Sequence, residues 1–117
     1  MASLLFDEHC VLPNSGDALD DSAIAELWSE VPAWRIVDID GVSRLQRLFT
    51  FEDFAAALEF TNRVGAMAEA ENHHPTLITE WGRVSAMWWT HKVDGLHRND
   101  FIAAAKTDRI YADRAEP

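Results

Sequence analysis

A single cysteine, Cys10, leaves this 117-residue chain unable to close an internal disulfide, and it points to a reducing, cytoplasmic setting. Long apolar runs are missing as well, so no segment reads as a membrane span. Asp7, Glu8 and His9 stand where a secretory signal would carry basic residues, and no signal peptide is expected. Bases are scarce: 10 Lys and Arg face 20 Asp and Glu, a formal charge of -10. That balance excludes the basic footprint of a nucleic-acid binder. The sequence contains no P-loop, no GxGxxG, no CxxC and no GxSxG, so nucleotide, dithiol and serine-hydrolase chemistry lose their usual carriers. Core material is not lacking. Apolar residues make up 48%, with 6 Phe, 5 Trp and 1 Tyr, enough for one domain without a metal or disulfide staple.

Organisation follows from periodicity and turn chemistry. Residues 1 to 19 show no period and include the breaker cluster Pro13, Asn14, Ser15 and Gly16, which reads as a flexible tail before a single domain over 20–117. Asp20, Asp21 or Ser22 can cap a helix with Ile24, Leu27, Trp28 and Val31 on one side, ended by Pro32. Trp34 to Ile39 and Val42 to Phe49 form a hairpin about Asp40-Gly41. In the second strand Arg47 falls among large apolar residues, which places it at an edge or lays its stem over apolar surface. Thr50 to Asp53 reads as a capping box opening a long helix to about Glu71. From Phe51 and Phe54 to Met67 and Ala68, apolar positions fill more than half of its wheel, with Asp53 interrupting them. That is more than one sheet can cover, so a second copy of the chain is expected against it. A second hairpin pairs Thr76 to Trp81 with Arg83 to His91, and a last helix starts near His97 to Asn99 with Asp100 in its first turn. In the last strand Val84, Ala86, Trp88 and Thr90 share one face, and Ser85, Met87, Trp89 and His91 the other.

Helix-hairpin-helix-hairpin-helix is an α+β pattern: a four-stranded antiparallel sheet with three helices on one face. Its topology gathers histidines. Pro75 turns the chain out of the helix at His73-His74, and antiparallel pairing returns His91 to the same end of the sheet. Imidazole titrates near neutrality, so neighbouring rings can give and take protons. Two other readings stand beside this one. Histidine also caps helix C-termini, and three imidazoles can hold zinc with an open position. Trp89, on the face of His91, could stack on a flat heterocycle, whereas Trp88 belongs to the core.

The residues Phe51-Glu52-Asp53-Phe54, Phe60-Thr61-Asn62-Arg63-Val64, Glu69, His73-His74-Pro75, Trp81-Gly82-Arg83-Val84, Thr90-His91, Gly95-Leu96 and Asp100 carry a resemblance. This stretch resembles the pterin-4a-carbinolamine dehydratases, and the layout from Asp21 to Tyr111 fits them. The resemblance implies a hydro-lyase that removes water from 4a-hydroxytetrahydropterin to give quinonoid dihydropterin, after an aromatic amino-acid hydroxylase has used the pterin. It implies catalytic roles for His73, His74 and His91, and a substrate pocket of those three with Pro75, Thr90, Lys92 and Val93. Glu69 and Asp100 match supporting acidic positions. It implies neither a metal nor a resident cofactor, the pterin being the substrate, and it implies a homodimer or homotetramer. Relatives that partner a transcription factor, or resemble assembly chaperones, leave a noncatalytic binding role as the alternative. Two positions depart from the family pattern: Leu77, where many members carry an aromatic, and Asn99, where some carry Arg.

Overall fold

The computed structural model describes residues 4–114. Its elements are α1 (Asp21–Trp28), β1 (Arg35–Ile39), β2 (Val42–Thr50), α2 (Phe54–Glu71), β3 (Thr76–Glu80), β4 (Arg83–Trp88) and α3 (Arg98–Ala112), with 3-10 turns at Leu5–Asp7 and His91–Val93. The strands form one antiparallel sheet in the order β1-β2-β4-β3. Both hairpins are set by their turns. Asp40 and Gly41 take φ of 54° and 82°, the geometry that matches the twist of paired strands. Gly82 has φ 79°, and a Cβ there would lie 3.4 Å from the Phe51 carbonyl oxygen.

Alternation divides the sheet into two faces. Leu45, Phe49, Val84, Ala86 and Trp88 are buried beneath a single helical stripe of α2, made of Ala57, Phe60, Val64 and Ala68, and beneath Phe101 to Ala104 of α3. Phe49, Phe51, Phe60 and Tyr111 close one end of this core, with ring centroids 4.7 to 5.8 Å apart. Arg47 is half-buried and does not lie at an edge; it covers apolar surface, as the second of the two expectations has it. β2 is an inner strand, and Arg47 Nη1 donates to Asp108 Oδ1 at 2.6 Å with its guanidinium over Phe49. Trp34 Nε1 donates to the same oxygen at 2.8 Å. Burial pushes the Asp108 carboxyl above its ordinary range, against the pull of those two donors.

Three expectations need correction. The helix cap is Asp53, not Thr50. Thr50 still pairs with Arg83 in the sheet, and Phe51 N donates to the Gly82 carbonyl at 2.9 Å, so the chain is extended there. The Asp53 carboxylate then accepts from Ala56 N at 2.8 Å, and α2 begins at Phe54. The last strand stops at Trp88 rather than reaching His91. Thr90 makes an isolated bridge to Gly95, and Asp94 in the left-handed region (φ 50°) turns the chain between them.

The tail is the third correction. From Leu4 to Val11 the chain is a docked strap, the first three residues lying outside the described ones. Leu5 is buried. Lys106 Nζ donates to the Phe6 carbonyl at 2.8 Å, and Arg98 donates twice to Glu8, at 2.9 and 2.8 Å. Cys10 N donates to Glu71 at 2.7 Å. The Asn99 amide grips Val11 from both sides, accepting from its N–H at 3.0 Å and donating to its carbonyl at 2.7 Å. These anchors are mostly backbone groups, which leave no side-chain periodicity to read.

Candidate active site

The end of α2 places the first two histidines. Asn72 takes the left-handed conformation (φ 52°, ψ 40°), its N–H bonding back to the Ala68 and Glu69 carbonyls. His73 N donates to the Ala68 carbonyl at 3.1 Å. This is a helix C-cap of the kind Asn supports well. It turns His73 and His74 out of the helix just before Pro75 and β3.

His73 is the most constrained of the histidines expected in the site. Its ring lies on Trp88, centroids 5.4 Å apart and planes 20° apart, and its Nε2 is 2.7 Å from Asp100 Oδ1. Asp100 is fully buried. Its other oxygen accepts from the Thr90 hydroxyl at 2.8 Å and from the His97 backbone N–H at 2.9 Å. With the Thr90 hydroxyl and the His97 N–H already on its other oxygen, a carboxylate faces His73 purely as acceptor, so the imidazole gives its Nε2–H and its working nitrogen is Nδ1. Trp88 is fixed in turn, its Nε1 donating to Thr107 Oγ1 at 3.2 Å. His97 caps α3, its Nδ1 accepting from Asn99 N at 2.9 Å while Asp100 bonds back to the His97 N–H.

The remaining expected residues are less constrained. His74 Nε2 is hydrogen-bonded to Glu69, and both side chains are exposed. His91, in the 3-10 turn, is exposed and meets Trp89 edge to face, centroids 5.0 Å apart. The opposite claim on that indole comes from Arg44, whose guanidinium lies 3.9 Å from the ring centroid. Trp89 is therefore already covered by a cation. Lys92 and Val93 continue the His91 turn, exposed and half-buried respectively, and Pro75 is half-buried beside the pair of histidines. Among the described residues, no group of three or more His, Cys, Asp and Glu side chains is arranged to hold a metal ion. A cleft of about 320 Å³ lies elsewhere, between α2 and the end of α3 and lined by Phe51, Phe60, Arg63, Tyr111 and Arg114 among others; no histidine is among its lining residues.

Sequence reasoning missed three participants. Trp88 was assignable to the core but not to the floor beneath His73, because the stacking depends on where the α2 cap throws the ring. His97 with Asp100 three residues on was a readable capping pair. Asn99, noted only as a departure, is the buried clamp of the strap, 2% exposed.

Fold and site together define a class: a small α+β domain offering a carboxylate-anchored imidazole at one end of its sheet. Comparison with known proteins gives that class its family. The family model described as Pterin 4 alpha carbinolamine dehydratase matches residues 17–110, and the chain belongs to this family of hydro-lyases. A Syntrophotalea carbinolica protein provisionally named pterin-4-alpha-carbinolamine dehydratase is 61% identical over 87 residues, covering 74% of this chain and 78% of that one. A Chlorobaculum tepidum protein of the same provisional name is 50% identical over 108 residues, covering 91% and 96%. Among solved structures, a transcriptional coactivator/pterin dehydratase from Brucella melitensis superposes with a TM-score of 0.71 at 29% identity, over 79% of this chain and 96% of that one. Among the described residues, no helix is long and apolar enough to cross a membrane.

Proposed function

We propose that the protein dehydrates 4a-hydroxytetrahydropterin to quinonoid dihydropterin, recycling the pterin of an aromatic amino-acid hydroxylase in the cytoplasm. The observation that carries this reading is the fixed line from Thr90 through Asp100 to His73 over Trp88. A buried carboxylate that orients an imidazole and supports its protonated form is a recurring device of acid-base catalysis. In the reaction the N5 lone pair forms the N5–C4a double bond as the C4a–O bond breaks. The leaving hydroxyl takes a proton and departs as water, and the proton on N5 is given up, so the overall proton balance is zero.

His73 and His91 serve as acids toward the hydroxyl, one for each face of the ring. His74, paired with Glu69, binds the pterin and helps receive the N5 proton. Pro75, Thr90, Lys92 and Val93 complete the pocket. The step calls for neither a redox cofactor nor a metal, because the electrons that expel the hydroxyl come from the substrate. The direct test follows freshly generated 4a-hydroxytetrahydropterin with and without the protein, before and after chelator treatment. No acceleration over the spontaneous loss of water would refute the reading, and reversible loss of activity with the chelator would refute its metal-free form.

A noncatalytic binding role is the second reading, favoured by the coactivator half of the Brucella melitensis protein's name. All three histidines are retained here, which supports catalysis over a pure scaffold. A homo-oligomer accompanies either reading. Phe54 and Leu58 on α2 are 45% and 42% exposed, and covering such side chains is the usual reason for association. Sedimentation at micromolar concentration is expected to give a dimer or tetramer; a 13.2 kDa species would contradict this.

A further inference from the structure

In so acidic a chain, cations without partners stand out. Arg44 and Lys92 are the two basic side chains with no hydrogen-bond or ion-pair partner among the described residues; the other eight each have one. A solitary exposed lysine is ordinary. A half-buried arginine is not, and Arg44 Nε is shielded from solvent with no acceptor among the described residues. An unmet buried donor carries a cost, more so on a charged group. Both cations lie at one corner. The β2–β4 register pairs Leu45 with Trp88, so the next step outward sets Arg44 opposite Trp89, on whose ring its guanidinium rests. The same indole touches His91, and Lys92 is the next residue of that turn. Asp94, the acid closest along the turn, forms no ion pair with either cation. Stacking on the indole holds the guanidinium plane in place while leaving its edge donors unspent.

We propose that Arg44 and Lys92 form an anion subsite beside His91, which makes the protein prefer pterins that carry a negatively charged substituent, carboxylate or phosphate, over neutral ones. The inference rests on the pterin reading above and adds to it the substrate's tail. A formal charge of -10 disfavours anions at long range, so recognition of an acidic tail needs local cations that no carboxylate among the described residues has claimed.

The probes are pterin-6-carboxylate and 6-methylpterin, each titrated against the full chain by tryptophan fluorescence and by calorimetry. Expected is binding of the carboxylate on the order of tenfold tighter at low salt, the worth of one charge-assisted hydrogen bond, with the advantage shrinking as ionic strength rises. Arg44→Gln should bring the ratio of the two affinities toward one, Arg44→Lys should restore part of it, and Lys92→Gln should lower it on its own. The exposed Lys92→Gln carries the test if Arg44→Gln does not fold. Equal affinities in the parent protein would overturn the subsite while leaving the pterin reading intact. So would a ratio that survives both neutral variants, or equal weakening of both ligands, which would put the acceptor on the ring itself. Failure to bind either pterin would overturn both readings.

Discussion

Replacing Asp100 by Asn removes one charge and almost no volume, and the surrounding donors dictate which way the new amide turns. Oδ2 receives the Thr90 hydroxyl at 2.8 Å and the His97 backbone N–H at 2.9 Å. A backbone N–H cannot rotate away, so the amide oxygen stays on that side and the NH2 group faces His73 Nε2. The imidazole must then accept at Nε2 and hold its proton on Nδ1, the reverse of the tautomer the carboxylate imposes. Exchanging a charge-assisted bond for a neutral one costs about 1–2 kcal/mol, which for a domain of this size lowers Tm by several degrees, and the fold survives. Catalysis is hit harder. A positioned acid contributes on the order of 100- to 10,000-fold, and Asp100→Asn is expected to lose at least about 100-fold in turnover of the 4a-epimer that His73 serves, at saturating substrate. The assay is initial-rate dehydration of freshly generated 4a-hydroxytetrahydropterin, corrected for the spontaneous reaction, with the His73 tautomer read from its ring nitrogen shifts by NMR. Turnover of that epimer within about threefold of the parent, in a variant whose tautomer has reversed, would refute the reasoning.

The division of labour between His73 and His91 predicts that Ala at either position slows mainly one 4a-epimer, while His74→Ala weakens binding and slows both; turnover of each epimer measured separately checks this, and equal losses in both single variants would point to one shared acid. Burial would raise the Glu71 carboxyl, but the Cys10 N–H, His9 and Lys106 outweigh it and hold the carboxyl below its ordinary range. Its stabilisation of the strap is therefore complete above the ordinary glutamate pKa and is lost as pH falls from there through the lowered folded value. Proteolysis or hydrogen exchange across residues 5–11 should show the strap releasing in that acidic window, and Glu71→Gln should release it at neutral pH. Burial, helped by the neighbouring Glu71 and Asp100 charges, pushes the Cys10 thiol up to about 12 from 9.0, roughly a thousandfold less thiolate at neutral pH. Aromatic disulfide reagents should label it slowly in the folded protein and rapidly in Asn99→Ala, where the clamp on Val11 is gone; equal rates would show that the strap is not what shields it.

The parts of the fold that were legible are those written in side-chain periodicity and turn residues. Asp40-Gly41 fixed one hairpin, Pro75 marked the exit from α2, and the buried alternation Val84, Ala86, Trp88 and Thr90 held even though the strand itself ended at Trp88. Strand and helix ends were less legible because backbone partners decide them: Thr50 had the chemistry of a cap, but its place opposite Arg83 in the sheet prevailed. The strap escaped because its anchors are main-chain amides meeting distant side chains such as Asn99 and Glu71, contacts that span 60 to 90 residues of sequence. In the site, topology alone suggests one end of the sheet for the histidines; the contacts observed are His73 on Trp88 and His91 against Trp89. That Asp100 would serve His73, and not merely the dipole of α3, required the ring's throw from the Asn72 cap, and this is a three-dimensional fact.

Asp100 belongs to two structures at once. One oxygen closes the first turn of α3 by taking the His97 N–H, and the other holds the His73 ring. Fraying of that turn and loss of imidazole alignment are therefore one opening event with one free energy, and a substrate that orders His73 must also tighten the helix end. The exchange rate of a single backbone amide, that of His97, becomes a reporter of how much of the time the imidazole stands aligned, readable in the resting protein without any turnover.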